Sequence, residues 1–251
     1  MRGTRNWTAR VIFSVAVSKD CTTASAAIRD ASPAIRNATG EFADGEPTAN
    51  AAATKIVAIA GASGSGKTYL STYVAERLGA PVLSLDAYYL DLSHLPLSER
   101  AQWNFDDPAA LDWALVRTQL AALRAGRGVD APVYDFSTHT RTERARRIEA
   151  REFLVLEGIF ALYDEAVRGM LRLGVFIEFP DAGCLVRRTA RDVAERGRTA
   201  LSVKEQYEAT VRPMFAQHVA PTRRFAHLVV GGEDPPERSF AALRARLDAR
   251  R

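Results

Sequence analysis

The sequence predicts an α/β fold in which a parallel β-sheet carries helices on both faces. Three observations point to it. Short apolar runs alternate along the chain with helical stretches, the runs lack the polar alternation of half-exposed strands, and a glycine-rich segment joins the first run to the first helix. The predicted strands are residues 55–60 (KIVAIA), 81–86 (PVLSLD), 153–158 (FLVLEG), 175–179 (VFIEF) and 227–230 (HLVV). Residues 68–79 (TYLSTYVAERLG) read as an amphipathic helix that stops at a glycine. No internal repeat is visible.

The joining segment, residues 61–70 (GASGSGKTYL), satisfies G-x-x-x-x-G-K-[ST] with Gly61, Gly66, Lys67 and Thr68. Glycines let the backbone curl so that successive N–H groups face phosphate oxygens, the lysine adds a point charge at the β/γ end, and the hydroxyl can sit on Mg²⁺. Ser63, Gly64, Ser65 and Tyr69 complete the candidate nucleotide-binding set. Strand, loop and helix follow in the order this motif requires. The fold expected is therefore the P-loop NTPase type.

Composition narrows the class. With 251 residues, 47% hydrophobic and 25% charged, the chain has room for one sizeable domain or two small ones. The net charge of +4 is small, and apart from Lys19, Lys55, Lys67 and Lys204 the basic residues are scattered arginines, which argues against a nucleic-acid surface. Cys21 and Cys184 make no disulfide or metal spacing and suit a reducing compartment. No apolar run approaches a membrane span. Residues 1–53, rich in Ala, Ser, Thr and Gly, are expected to be a disordered extension, and residues 54–251 the folded domain. Residues 11–17 (VIFSVAV) have some character of a signal-peptide core, but Lys19 and Asp20 follow at once, and an exported enzyme would lose its ATP supply; a cytoplasmic location is expected.

Two carboxylates follow predicted strands directly. Ligands of open α/β sheets sit beyond the carboxyl ends of the strands, so Asp86 and Glu157 should face the crevice of the P-loop. There a carboxylate can take a proton from an acceptor hydroxyl or help hold Mg²⁺. On position alone, Asp86 could equally cap a helix. The D-x-x-G and N-K-x-D elements of GTPases are absent from suitable places, which leaves a small-molecule kinase. Arg187, Arg188 and Arg191 recur at helical spacing, and Arg196 and Arg198 flank Gly197 where that helix should end. Beside a P-loop, such arginines suit a lid over moving phosphate charge.

Residues 104–113 (NFDDPAALDW) and 131–141 (APVYDFSTHTR) closely resemble the uridine/cytidine kinase family, and residues 154–163, 187–198 and 206–230 continue the likeness. The resemblance implies a β-hairpin insertion, an arginine-rich lid, ATP as donor with Mg²⁺, and a pyrimidine nucleoside phosphorylated at its 5′-hydroxyl. It implies Asp86 as the catalytic proton acceptor, with Lys67, Arg191 and Arg196 also catalytic, and Thr68, Glu157 and Asp86 on the metal side. Asp106 would hold the ribose hydroxyls, Tyr134 and His139 would read the base, and Arg188, Arg198 and Gln206 would complete the nucleoside contacts. Trp103, Trp113, His94, His218 and His227 are expected to be structural. A homo-oligomer stays open. So do a related kinase with another acceptor, of the phosphoribulokinase or pantothenate kinase type, and a silent nucleotide-binding regulator. The adenine-side contacts cannot be assigned from the loosely matching C-terminal residues.

Overall fold

A computed structural model describes residues 53–250; the N-terminal extension expected from the sequence lies outside the described residues. The strands are β1 (Lys55–Gly61), β2 (Val82–Ser84), β3 (Val129–Asp135), β4 (Thr140–Ile148), β5 (Phe153–Glu157), β6 (Leu171–Glu178) and β7 (Leu228–Gly231). The α-helices are α1 (Lys67–Leu78), α2 (Leu97–Arg100), α3 (Trp113–Arg124), α4 (Glu165–Met170), α5 (Asp181–Arg196), α6 (Ala200–Gln206), α7 (Arg212–Met214) and α8 (Pro236–Ala249). Five strands form one parallel sheet in the order β2-β5-β1-β6-β7, and β3 and β4 pair apart from it as an antiparallel hairpin.

The central strand explains the unalternating apolar runs. Residues 56–60 of β1 are fully buried, and they divide between two cores by the period of two that a strand imposes. Ile56, Ala58 and Ala60 face Tyr88, Leu120, Leu156 and Phe160 on one side of the sheet. Val57 and Ile59 face Leu70, Val74, Leu243 and Leu247, so α1 and α8 cover the other side. Helix α1 stops at Gly79, whose left-handed conformation (φ 60°) lets its N–H reach the carbonyls of Ala75 and Glu76.

Two strands differ from their predicted extents. The run at 81–86 stays in the sheet only over Val82–Ser84; Leu85–Tyr88 is a 3-10 turn, which carries Asp86 just past the strand rather than at its end. Leu85 packs over Gly158, where an added Cβ would come within 2.8 Å of the Leu85 Cβ. Strand β6 begins earlier than predicted because Gly174 does not break it: the register against β1 shifts between Ile56 and Val57, and an added Cβ at Gly174 would lie 2.8 Å from Leu162. Among the described residues no helix is long and apolar enough to cross a membrane.

Candidate active site

The phosphate loop takes its shape from glycine. Gly64 (φ 85°) and Gly66 (φ 98°) occupy conformations that side chains avoid, and a Cβ on Gly64 would stand 2.3 Å from the carbonyl oxygen of Cys184 in the first turns of α5. The loop is thereby seated against the lid helix. Helix α1 starts at Lys67 with no side-chain cap, so its first N–H groups are free to serve a bound anion. Lys67 is buried and lies on the wall of a 720 Å³ cavity.

Behind the lysine, Glu157 ends β5 as a buried carboxylate that accepts hydrogen bonds from the hydroxyls of Thr68 (3.2 Å) and Ser84 (2.8 Å). These hard oxygen donors beside the loop suit a magnesium ion, which binds few protein ligands and takes the rest from phosphate and water. No group of three or more His, Cys, Asp or Glu side chains that could hold a metal ion occurs among the described residues. Asp86 lines the same cavity as Lys67.

The same cavity collects Ser63, Asp106, Tyr134, His139 and Gln206 with Arg188, Arg191, Arg196 and Arg198. Burial pushes the Asp106 carboxyl above the ordinary carboxylate range, opposed chiefly by the neighbouring Arg188, while Thr210 donates to it at 3.4 Å. The Tyr134 hydroxyl is buried without a protein partner, and desolvation raises its pKa to about 12, so it is a neutral donor. His139, at the hairpin turn with φ 54°, stacks on Phe105 with ring centres 5.0 Å apart. Burial first, and then the charge of Arg100, lower its pKa, which favours the neutral imidazole. Tyr89 joins Phe105 (5.1 Å) and Tyr134 (5.4 Å) in one aromatic wall.

The lid is built from α5, which ends at Gly197 in the left-handed conformation. Arg188, Arg191 and Arg196 of α5 and Arg198 just past it converge on Asp192, a fully buried carboxylate within 2.8 Å of Arg191, 3.6 Å of Arg188 and 3.7 Å of both Arg196 and Arg198. Gln206 accepts from Arg188 (3.1 Å) and from Arg198, and Arg188 also donates to the Ser63 hydroxyl at 3.0 Å. Phosphate loop, lid and cavity floor are thus hydrogen-bonded together. The helical segment after α6 widens into π turns at Tyr207–Val211 and Phe215–Val219, and Thr210 comes from the first of them.

Gly61 at the end of β1, Gly64 in the loop and Thr68 at the start of α1 do not line the large cavity, whereas Ser65, Gly66 and Tyr69 line a second cleft of 350 Å³ with Arg187, Gly232 and Asp234. Arg187 is held there by a hydrogen bond to the Gly232 carbonyl (3.0 Å) and by the Phe179 ring, 3.8 Å away. Both clefts are lined in part by residues of the phosphate loop.

Trp103 departs from expectation: it is 41% exposed and lines the large cavity, because the turn after α2 carries it to the mouth. Trp113 and His227 are structural, bonded to the Pro108 carbonyl and to the Gly174 N–H respectively. His218 packs edge-on to Tyr163. The reading of the sequence missed Asp192 and Thr210. Asp192 had a signal, since it stands four residues from both Arg188 and Arg196, while Thr210 had none.

The chain matches the phosphoribulokinase / uridine kinase family over residues 56–233. It is 46% identical over 182 residues to a uridine kinase of Tolumonas auensis, covering 70% of this chain and 85% of that one. A uridine kinase of Deinococcus deserti is 42% identical over 196 residues, covering 76% and 95%. The chain belongs to the phosphoribulokinase / uridine kinase family. Solved structures agree on the fold: phosphoribulokinase from Rhodobacter spheroides superposes with a TM-score of 0.52 at 16% identity, over 74% of each chain. D-glycerate 3-kinase from Cryptococcus neoformans gives 0.52 at 15% identity, over 73% of this chain and 88% of that one.

Proposed function

We propose that this chain is an ATP-dependent uridine kinase, also active on cytidine, that transfers the γ-phosphoryl group to the nucleoside 5′-hydroxyl. The observation that carries the reading is the meeting of Asp86, Asp106 and the aromatic wall in one cavity beside Lys67. A carboxylate for the reacting hydroxyl, a second for sugar hydroxyls and a flat apolar wall with two neutral polar tips match the three parts of a pyrimidine ribonucleoside. The second cleft, across the phosphate loop, suits the purine of the donor against Arg187, with the phosphates crossing the loop toward the acceptor.

In this reading Asp86 takes the proton of the 5′-hydroxyl as its oxygen attacks the γ-phosphorus. The bond to the β–γ bridging oxygen breaks, and its electron pair leaves with ADP. Lys67, Arg191 and Arg196 offset the negative charge as it moves, which is the main catalytic requirement of phosphoryl transfer. Arg188, Arg198 and Gln206 hold the acceptor, and Asp106 accepts from the ribose. Thr68, Glu157 and Asp86 would hold Mg²⁺, which when bound neutralises charge on the β- and γ-phosphates. The reaction suits recovery of pyrimidine nucleosides in the cytoplasm, where ATP is supplied.

The test is a panel of uridine, cytidine, ribulose 5-phosphate and pantothenate, each with ATP and Mg²⁺ and scored for ADP release. Uridine and cytidine are expected to turn over and the other two to stay at background. Turnover of ribulose 5-phosphate or pantothenate in place of the nucleosides would refute the assignment.

A further inference from the structure

Arg141 has no place in the chemistry just described, yet it makes more bonds across element boundaries than any residue of the hairpin. It stands directly across from Tyr134 in the register of β3 and β4, two residues after His139. Its Nε donates to the Tyr89 carbonyl at 2.9 Å, and one terminal nitrogen reaches the Tyr88 carbonyl (3.3 Å) and the Asp112 carboxylate (3.2 Å). Its own main-chain N–H donates to Asp91 at 3.3 Å. Tyr88 closes the 3-10 turn that carries Asp86, and its carbonyl also accepts from the Asp112 N–H at 2.9 Å. Asp112 in turn caps α3 through the Leu115 N–H (3.0 Å).

Resting on the uridine kinase reading, we propose that Arg141 is a positioning residue that fixes the base-reading hairpin at a set distance from Asp86. The hairpin is not part of the main sheet, so nothing in the sheet ladder sets where Tyr134 and His139 stand relative to the reacting carboxylate. A planar guanidinium can hold several diverging acceptors at once, and here they belong to the turn of Asp86 and to the start of α3. An ammonium group offers the charge but not the fork. Base recognition thereby places the 5′-hydroxyl, because a nucleoside seated on a displaced hairpin presents its hydroxyl off line, and small misplacements are costly to phosphoryl transfer.

The test is a double-mutant cycle on kcat/KM for uridine with Arg141→Lys and His139→Ala, with KM for ATP and the folded state followed alongside. If Arg141 works through the hairpin, Arg141→Lys lowers kcat for uridine at least about tenfold with KM for ATP unchanged. The double variant then falls no more than about threefold below the weaker single variant, because sites that act through one another are not additive. Independent, multiplying losses would overturn the proposal, as would a fall in ATP affinity equal to the loss in kcat. Arg141→Met is run beside it; if neither variant folds, Arg141 belongs to general stability and the proposal fails. Absence of uridine turnover in the unmodified protein would instead strike the functional reading on which this rests.

Discussion

Asp86 and Glu157 both follow sheet strands, but they stand in different surroundings. Glu157 is buried and already holds two hydroxyls, so it serves as a fixed oxygen donor; Asp86 sits on a short turn at the cavity wall, where a proton can arrive and leave. In the proposed reading Asp86 takes the proton, so Asp86→Asn keeps the shape and removes the proton acceptor. Its kcat is expected to fall about 10²-fold or more while nucleoside and nucleotide still bind, as measured by steady-state kinetics and calorimetric titration. Loss of binding together with turnover would make Asp86 chiefly a structural or metal-side group. The phosphate loop was legible from four residues because its glycine spacing has a single physical purpose. The exact place of Asp86 was not: a run of apolar residues marks a strand without marking where the neighbouring strand stops pairing with it.

At the scale of elements, the lid shows what sequence spacing can and cannot convey. Arginines at helical intervals announced a charged face; α5 presents Arg188, Arg191 and Arg196 to the large cavity but Arg187 to the second cleft. Three guanidinium groups of α5 and that of Arg198 just past its end repel one another, and the buried Asp192 offsets that repulsion where they converge. Removing that carboxylate leaves Arg188 buried without its partner on the helix, and breaking a buried pair in this way costs about 3 kcal/mol. Asp192→Asn is therefore expected to lower the melting temperature and to reduce kcat at least about tenfold, read by thermal denaturation and uridine turnover. An unchanged kcat in a folded Asp192→Asn protein would show that the lid arginines need no common anchor. The hairpin was legible only through the likeness of its phrases to a family. Its exposed, arginine-rich return strand lacks the alternation that marks a half-buried strand, since much of β4 faces solvent.

Two clefts share the phosphate loop among their linings, and in the proposed reading the phosphoryl group passes from the second cleft to the large cavity. Tyr89, Trp103 and Phe105 line the large cavity, although the sequence marks Trp103 only as structural and gives Tyr89 and Phe105 no role. In the proposed reading the acceptor is a ribonucleoside held by Asp106. A buried carboxylate deprived of a donor suffers a desolvation penalty of about 1 to 3 kcal/mol, and sites built around a hydroxyl reject analogues that lack it. The most direct measurement compares kcat/KM for uridine and 2′-deoxyuridine with ATP and Mg²⁺ in the unmodified protein. 2′-Deoxyuridine is expected to fall at least about 10²-fold below uridine, and equal rates for the two nucleosides would rule out a ribose contact by Asp106.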